Sequence, residues 1–210
     1  MIDPYPMDES LRYVPERTEP EIETLFDFTD SLGILRVAEK CNGSGDCRKP
    51  VSAGGTMCPS YRATKNEKDT TRARANALRE FLTNSEQTNK FNHQELKEVF
   101  DLCLSCKACS SECPSNVDIA SLKAEFLYQY YKSNPIDLRT SLFADNVKYN
   151  KLGMLFPSLT NAVLNTKATK KIIGIHPKRS IPKLQKRTFK TWLAKNKNRL
   201  EAQLDQNKKF

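Results

Sequence analysis

Residues 103–114 read CLSCKACSSECP, four cysteines at the spacing C-x2-C-x2-C-x3-C with a proline directly after the last. This is the ligand run of bacterial iron–sulfur proteins. The first three thiolates, Cys103, Cys106 and Cys109, reach three irons of one cubane, and the fourth, Cys113, ligates the other cluster of a pair. The short spacers let one turn of backbone wrap the cluster with its N–H groups toward the sulfurs. Pro114, with no N–H and a fixed φ, turns the chain away. Three more cysteines lie upstream, Cys41, Cys47 and Cys58, making seven in all. An odd count, with no leader of basic and then apolar residues at the N-terminus, argues against a closed disulfide set. It favours ligands or redox centres in the reducing cytoplasm.

The crossed ligand rule needs a Cys-Pro from an earlier motif, and upstream that pair is Cys58-Pro59. Before it, Cys41-x2-Ser44-x2-Cys47 keeps the C-x2-C-x2-C frame with serine in the middle place, and an insertion stretches the final spacer to ten residues. Two sites are expected. One is Cys58, Cys103, Cys106 and Cys109, a full set of thiolates holding one cubane. The other is Cys41, Cys47 and Cys113, one thiolate short. A serine hydroxyl binds iron more weakly than a thiolate, so the second site is expected to hold a 3Fe–4S cluster, or a 4Fe–4S cluster with one labile iron. Asp46, beside Cys47, is a possible substitute donor. Two alternatives stay open on the residues alone. In one, Cys103, Cys106, Cys109 and Cys113 hold a single cluster by themselves, with Ser44 merely turning a glycine-rich loop and the upstream cysteines structural. The other is a zinc-stabilised interaction or nucleic-acid-binding protein, although a zinc site usually draws two separated pairs around one tetrahedral ion.

The elements that must position these thiols read as helices. After an acidic, proline-punctuated start, short helices are expected in PEIETLFDF and in SLGILRVAEK leading to Cys41. Residues 42–60 hold four of the seven glycines and read as a loop. A helix over 69–83 is capped by Asp69 or Thr70, with Ala73, Ala77, Leu78 and Phe81 on one face. The next, HQELKEVFDLC, aligns Leu96, Val99, Phe100 and Cys103. Ser115 and Asp118 resemble a capping box before a helix that stacks Ile119, Leu122, Phe126 and Tyr130. Beyond Pro135 one amphipathic helix is expected over 138–153, a weaker one around LTNAVLN, and a terminal helix with Phe189, Trp192 and Leu193 as its apolar side. No period-two pattern of any length is present. The fold expected is all-α: an extended linker at 1–33, a helical dicluster-ferredoxin-like module at 34–134, a helical extension at 135–182 and a basic tail at 183–210.

The composition is lean for 210 residues, 38% hydrophobic and 28% charged, with a mean hydropathy of −0.63. A core of about half the chain is expected, helped by its metal centres. No run approaches the ~18 apolar residues of a membrane span. The net charge of +9 is uneven: residues 167–210 carry fourteen Lys and Arg against Glu201 and Asp205. Such a tail attracts nucleic acid or an anionic membrane. With Phe189 and Trp192 the sole interleaved aromatics and no recognition motif, a solvated tail or linker is the better reading, and no nucleic-acid partner is expected. Arg72 and Arg74 follow Cys58-Pro59 and either offset an anionic cluster or lie on the helix surface. His93 and His176 lack metal-site spacing and are expected at the surface.

The stretches CNGSGDCRK, GGTMCPSYRATKNEKDTTRARANALREFL and DLCLSCKACSSECPSNVDIASLKAEFL resemble the iron–sulfur module of the large FAD-linked oxidases. These are fusion proteins related to D-lactate and D-2-hydroxyglutarate dehydrogenases. The resemblance runs from about Asp3 to Pro182. More distantly the chain is similar to the two-cluster helical ferredoxin of the glycolate oxidase iron–sulfur subunit and of succinate dehydrogenase. The resemblance implies that electrons from a 2-hydroxy acid pass from FAD, on a partner domain or chain, into these clusters and on to an acceptor. It also implies, as partners, an FAD-binding oxidase domain or subunit and a CCG-type cysteine-rich domain or a quinone-linked acceptor. A cytoplasmic site follows, with a peripheral place at the inner face of the membrane as the variant. The chain departs from the full pattern in having no flavin-binding domain and no Gly-rich cofactor loop. It is expected to be a subunit or a fragment of such an FAD-dependent enzyme, not catalytic alone.

Overall fold

The computed structural model describes residues 17–207. Every regular element among them is helical, and no strand is present among the described residues. The chain divides into two compact units, Met1–Pro135 and Ile136–Phe210. The first sixteen residues of the expected linker lie outside the described residues.

The first unit holds α1 (Ile34–Glu39), α2 (Pro59–Thr64), α3 (Thr71–Asn84), α4 (Gln94–Asp101), α5 (Ala108–Glu112) and α6 (Ile119–Ser133). Helix α3 is the centre, packed by α1, α4 and α6. It begins where the Thr70 hydroxyl accepts from the Ala73 amide at 2.9 Å, a cap worth about 1 kcal/mol. Its buried stripe is Thr71, Arg74, Ala75, Leu78 and Leu82, rotated from the Ala73/Ala77/Leu78/Phe81 face expected from periodicity. The cause is Arg74. Its guanidinium finds acceptors inside the unit, so a charged residue occupies a place that pattern reading gives to an apolar one.

Helix α6 buries the expected Ile119, Leu122, Phe126 and Tyr130. Asp118 itself is its cap, accepting from the Ala120 and Ser121 amides at 2.9 and 3.2 Å, so the Ser115 capping box is corrected to a single N-cap aspartate. Phe100 of α4 stacks on Phe126 with centroids 5.0 Å apart, beside fully buried Leu78, Leu82, Leu96 and Leu122. Burying each of these side chains stabilises the unit by about 1.5–3 kcal/mol.

The expected helix in PEIETLFDF does not form; residues 20–28 contain no helix. The amides of Leu25 and Phe26 each donate to Glu125 Oε2 at 3.0 Å, and Gln129 Nε2 reaches the Glu23 carbonyl at 2.8 Å. Glu125 is fully buried on α6, and a buried carboxylate needs donors. A non-helical strap has amide hydrogens free to supply them.

The second unit holds α7 (Leu138–Ala144), α8 (Asn146–Gly153), α9 (Pro157–Leu164), α10 (Lys167–Ile172) and α11 (Phe189–Asn207). The single helix expected over 138–153 is broken at Asp145, which ends α7 and precedes α8. Asp and Asn side chains compete with the helical backbone for hydrogen bonds, and the break falls at Asp145-Asn146. Among the described residues of this unit no apolar side chain is buried; Phe143, Leu155, Phe156 and Phe189 are all more than half exposed. No helix among the described residues is long and apolar enough to cross a membrane.

Candidate metal centre

Cys58, Cys103, Cys106 and Cys109 come from two stretches of chain and line one cavity, together with Thr71, Arg74 and Ile119. Each is placed by a recognisable local device. Cys58 precedes α2 in the left-handed region, with φ 53°, and Pro59 starts the helix. The Thr71 amide, at the start of α3, donates to Cys58 Sγ at 3.0 Å, and the Thr71 hydroxyl lies 2.9 Å from the same sulfur. Cys103 follows the C-terminus of α4. There Lys123 Nζ donates to the carbonyls of Phe100 and Cys103 at 2.8 and 2.7 Å, so an ammonium holds the end of the helix and the start of the motif together.

Cys106 is the exposed member. It is flanked by Ser105 and Lys107, both at positive φ (50° and 62°) although neither is glycine. Cys109 sits in the first turn of α5 and is buried. Burial pushes its thiol up, partly offset by hydrogen bonds from the amides of Ile119 and Ala120 at the start of α6. Two long helices thus direct N-terminal amides at Cys58 and Cys109, which favours negative charge on sulfur.

This donor set fits an iron–sulfur cluster. Four thiols, helix-start amides, left-handed backbone around Cys106 and a buried guanidinium all suit a thiolate-bound polyanion. Among the described residues no three His, Cys, Asp or Glu side chains close on a common point as the ligands of a single ion do.

Cys113 does not line this cavity. It caps α5 and is buried. Cys41, just after α1, and Cys47, in a 3-10 turn, are also buried, and all three belong to the same core cluster as Cys58 and Cys109. Cys47 lies beside Cys58. A hydrogen bond from the Cys58 thiol holds Cys47 down at about 6, assisted by the Arg72 amide and the Thr70 hydroxyl. The same contact, with burial, pushes Cys58 up. Ser44 is exposed, and its amide donates to Asn42 Oδ1 at 3.1 Å in a tight turn. Asp46 is engaged with Lys49 at 3.3 Å.

Three side chains that pattern reading passed over hold this architecture. Glu112, between the last two motif cysteines, accepts from the Thr56 hydroxyl at 2.7 Å, the Thr56 amide at 2.8 Å and the Met57 amide at 3.0 Å, and these bonds, the hydroxyl first, hold its carboxyl below the usual range. A Cβ on Gly55 would meet Glu112 Oε2 at 2.5 Å, so the close approach requires glycine there. Arg62 donates to the Gly54 and Gly55 carbonyls at 2.6 and 2.8 Å. Lys123 is the third. No periodic signal marks any of them, since each holds a partner outside its own helix. Arg72 pairs with Glu67 at 2.6 Å, whereas Arg74 is buried at the cavity. His93 lies against Phe81 at 4.4 Å and beside Ser85 at 2.7 Å; His176 is exposed.

Residues 40–118, which include all seven cysteines, match the family model of the 4Fe-4S dicluster domain. The chain therefore carries an iron–sulfur dicluster domain within a mostly helical fold. It is also distantly homologous, over part of its length, to D-2-hydroxyglutarate dehydrogenases. Identity is 30% over 191 residues with the enzyme of Escherichia coli (strain K12), covering 71% of this chain and 19% of that protein. It is 29% over 164 residues with that of Pantoea ananatis, covering 61% and 16%, and 25% over 168 residues with that of Pseudomonas putida, covering 65% and 17%. The chain spans less than a fifth of the length of these relatives. No solved structure matches.

Proposed function

We propose that this chain is an electron-transfer module that takes electrons from a partner FAD domain oxidising a 2-hydroxy acid and passes them to a downstream acceptor. The observation that carries the reading is the four-thiol cavity of Cys58, Cys103, Cys106 and Cys109, within a segment that matches a two-cluster domain. Clusters bound here supply one-electron chemistry. The chain's own residues do the rest: the four thiolates hold the first site, and the amides of Thr71, Ile119 and Ala120 orient and stabilise sulfur charge. Cys41, Cys47 and Cys113 hold a second, thiolate-deficient site, with iron that is 3Fe–4S or labile at the position facing Ser44. A CCG-type cysteine-rich domain or a quinone-linked carrier is the proposed acceptor.

The test is anaerobic purification followed by metal analysis and spectroscopy. The chain should be brown, carry more iron than one cluster holds, and bleach on reduction. It should bind no stoichiometric flavin, and a 2-hydroxy acid should reduce it only when a partner flavoprotein is present. Removing the iron should lower helical circular dichroism, because ligation at the four-thiol site ties the end of α4 to the starts of α2 and α5 and is coupled to folding. A colourless, zinc-loaded protein would overturn the proposal.

A further inference from the structure

We infer that Arg74 is a potential-setting residue for the four-thiol site, acting as a buried countercharge that favours its reduced state. The inference rests on the proposed iron–sulfur occupancy of that cavity. Arg74 is 2% exposed and lines the cavity with all four cysteines. An arginine cannot shed its proton in a protein, so its charge is present wherever it is buried.

Its hydrogen bonds position the charge without neutralising it. Nε donates to the Val99 carbonyl at 3.0 Å, one terminal nitrogen to the Asp69 carbonyl at 2.7 Å and the other to Ser60 Oγ at 3.1 Å. All three acceptors are uncharged. The nearest carboxylate, Asp69, stands off at 3.7 Å. Its Oδ2 accepts from Thr64 at 2.6 Å, and its Oδ1 has no hydrogen-bond partner. Arg74 and Asp69 form a buried pair at 3.7 Å with no direct hydrogen bond between guanidinium and carboxylate. A thiolate-bound cluster in the cavity is a second anion for this cation to face. Reduction adds one electron and one negative charge there, and a fixed buried cation stabilises that charge more than the one before it. Asp69 opposes the effect. Arg72, on the same helix, pairs with Glu67 and is half-buried, so it carries no comparable role.

The experiment is an EPR-monitored redox titration of the anaerobic holoprotein with dithionite and mediators. Arg74→Met should shift the one-electron potential of the cubane signal to more negative values, and Arg74→Lys should restore most of it. Asp69→Asn, which keeps the cation and removes its opponent, should shift the potential upward. The shifts should persist at high salt, because a buried charge is little screened. A cluster-loaded Arg74→Met protein with an unmoved potential overturns the inference. If that variant loses its cluster, an unmoved potential in Asp69→Asn overturns it instead. Wild-type protein without iron would defeat the underlying functional reading rather than this one.

Discussion

The turn of residues 103–109 and the loop of residues 41–58 each bring three cysteines, yet they are held in opposite ways. The turn is built from inside the unit. Cys103 hangs from the end of α4 under Lys123, Cys109 faces the start of α6, and non-glycine residues on both sides of Cys106 accept left-handed backbone. The loop is built from outside: residues 42–56 are largely exposed, and Arg62 and Glu112 grip its far end through Gly54, Gly55, Thr56 and Met57. Where the proposed ligand set is complete, neighbouring helices fix Cys58, Cys103 and Cys109. Where the frame has a serine in place of a thiolate, the chain between Cys41 and Cys47 turns to solvent, held by its own short-range bond from Ser44 to Asn42. The proposed four-thiolate set and a preorganised wall go together, and Cys58 is the point at which loop meets wall.

The sharpest way to break this contrast is to remove one cysteine from each side of it. Cys58→Ala should strip the cubane of the four-thiol cavity, with loss of about half the iron and of its EPR signal. Cys113→Ala should leave that signal and lose the second site instead. The opposite result, with Cys113 essential and Cys58 dispensable to the main signal, would establish the single-motif arrangement.

Ser44→Cys tests whether the loop is deficient because of one side chain. The position is exposed, so a thiol enters without displacing core residues. The variant should gain iron and convert a 3Fe–4S signal to that of a cubane. If Cys41→Ala combined with Cys47→Ala leaves iron and spectrum unchanged, no second site exists and Ser44 is a turn residue.

Glu112 tests the outside grip itself. Glu112→Ala releases three donors, the Thr56 amide and hydroxyl and the Met57 amide. Limited proteolysis should then cut residues 50–57 faster, while the visible spectrum of the four-thiol site stays largely as it was. Equal protection in variant and wild type would show that the metal sites alone order the loop.

The motif thiols, the helical class and the stacked face of α6 were legible because each is a short-range or periodic signal. The C-x2-C spacing is read within one turn of chain, and Ile119, Leu122, Phe126 and Tyr130 repeat at helical intervals. Cys58 lines the same cavity as the later motif, a neighbourhood that the proline after it pointed to; its role as a ligand belongs to the proposal. What was not legible depends on tertiary partners. Arg74 lies on the buried face of α3 because carbonyls of Val99 and Asp69 await it, and that rotation hides from any periodicity count. PEIETLFDF has helical composition, but Glu125, about a hundred residues on, claims its amides. The break at Asp145 was a local signal that amphipathic periodicity outweighed. The exposed apolar side chains of the second unit show the converse: helices there follow from sequence, but among its described residues no apolar side chain is buried to make a core.

The smallest expected effect concerns the backbone of the inner turn. Ser105 and Lys107 sit at φ 50° and 62°, where a Cβ costs roughly 1–2 kcal/mol per residue. The cost is tolerated because the flanking helices fix where Cys103 and Cys109 must stand, and the short spacers leave no other route past Cys106. Glycine removes the steric term but adds freedom to the unfolded chain, which offsets about 0.5–1 kcal/mol of the gain. Ser105→Gly and Lys107→Gly should therefore each stabilise the holoprotein by up to about 1 kcal/mol, a rise of a few degrees in Tm. Gly45, at φ +80° in the outer loop, should respond in the opposite sense to alanine, losing about the same amount. Thermal unfolding of the three variants under anaerobic conditions measures all of this. A fall in Tm for Ser105→Gly would mean that the serine side chain stabilises the turn by more than its backbone geometry costs, and the two regions would then differ less than their φ values suggest.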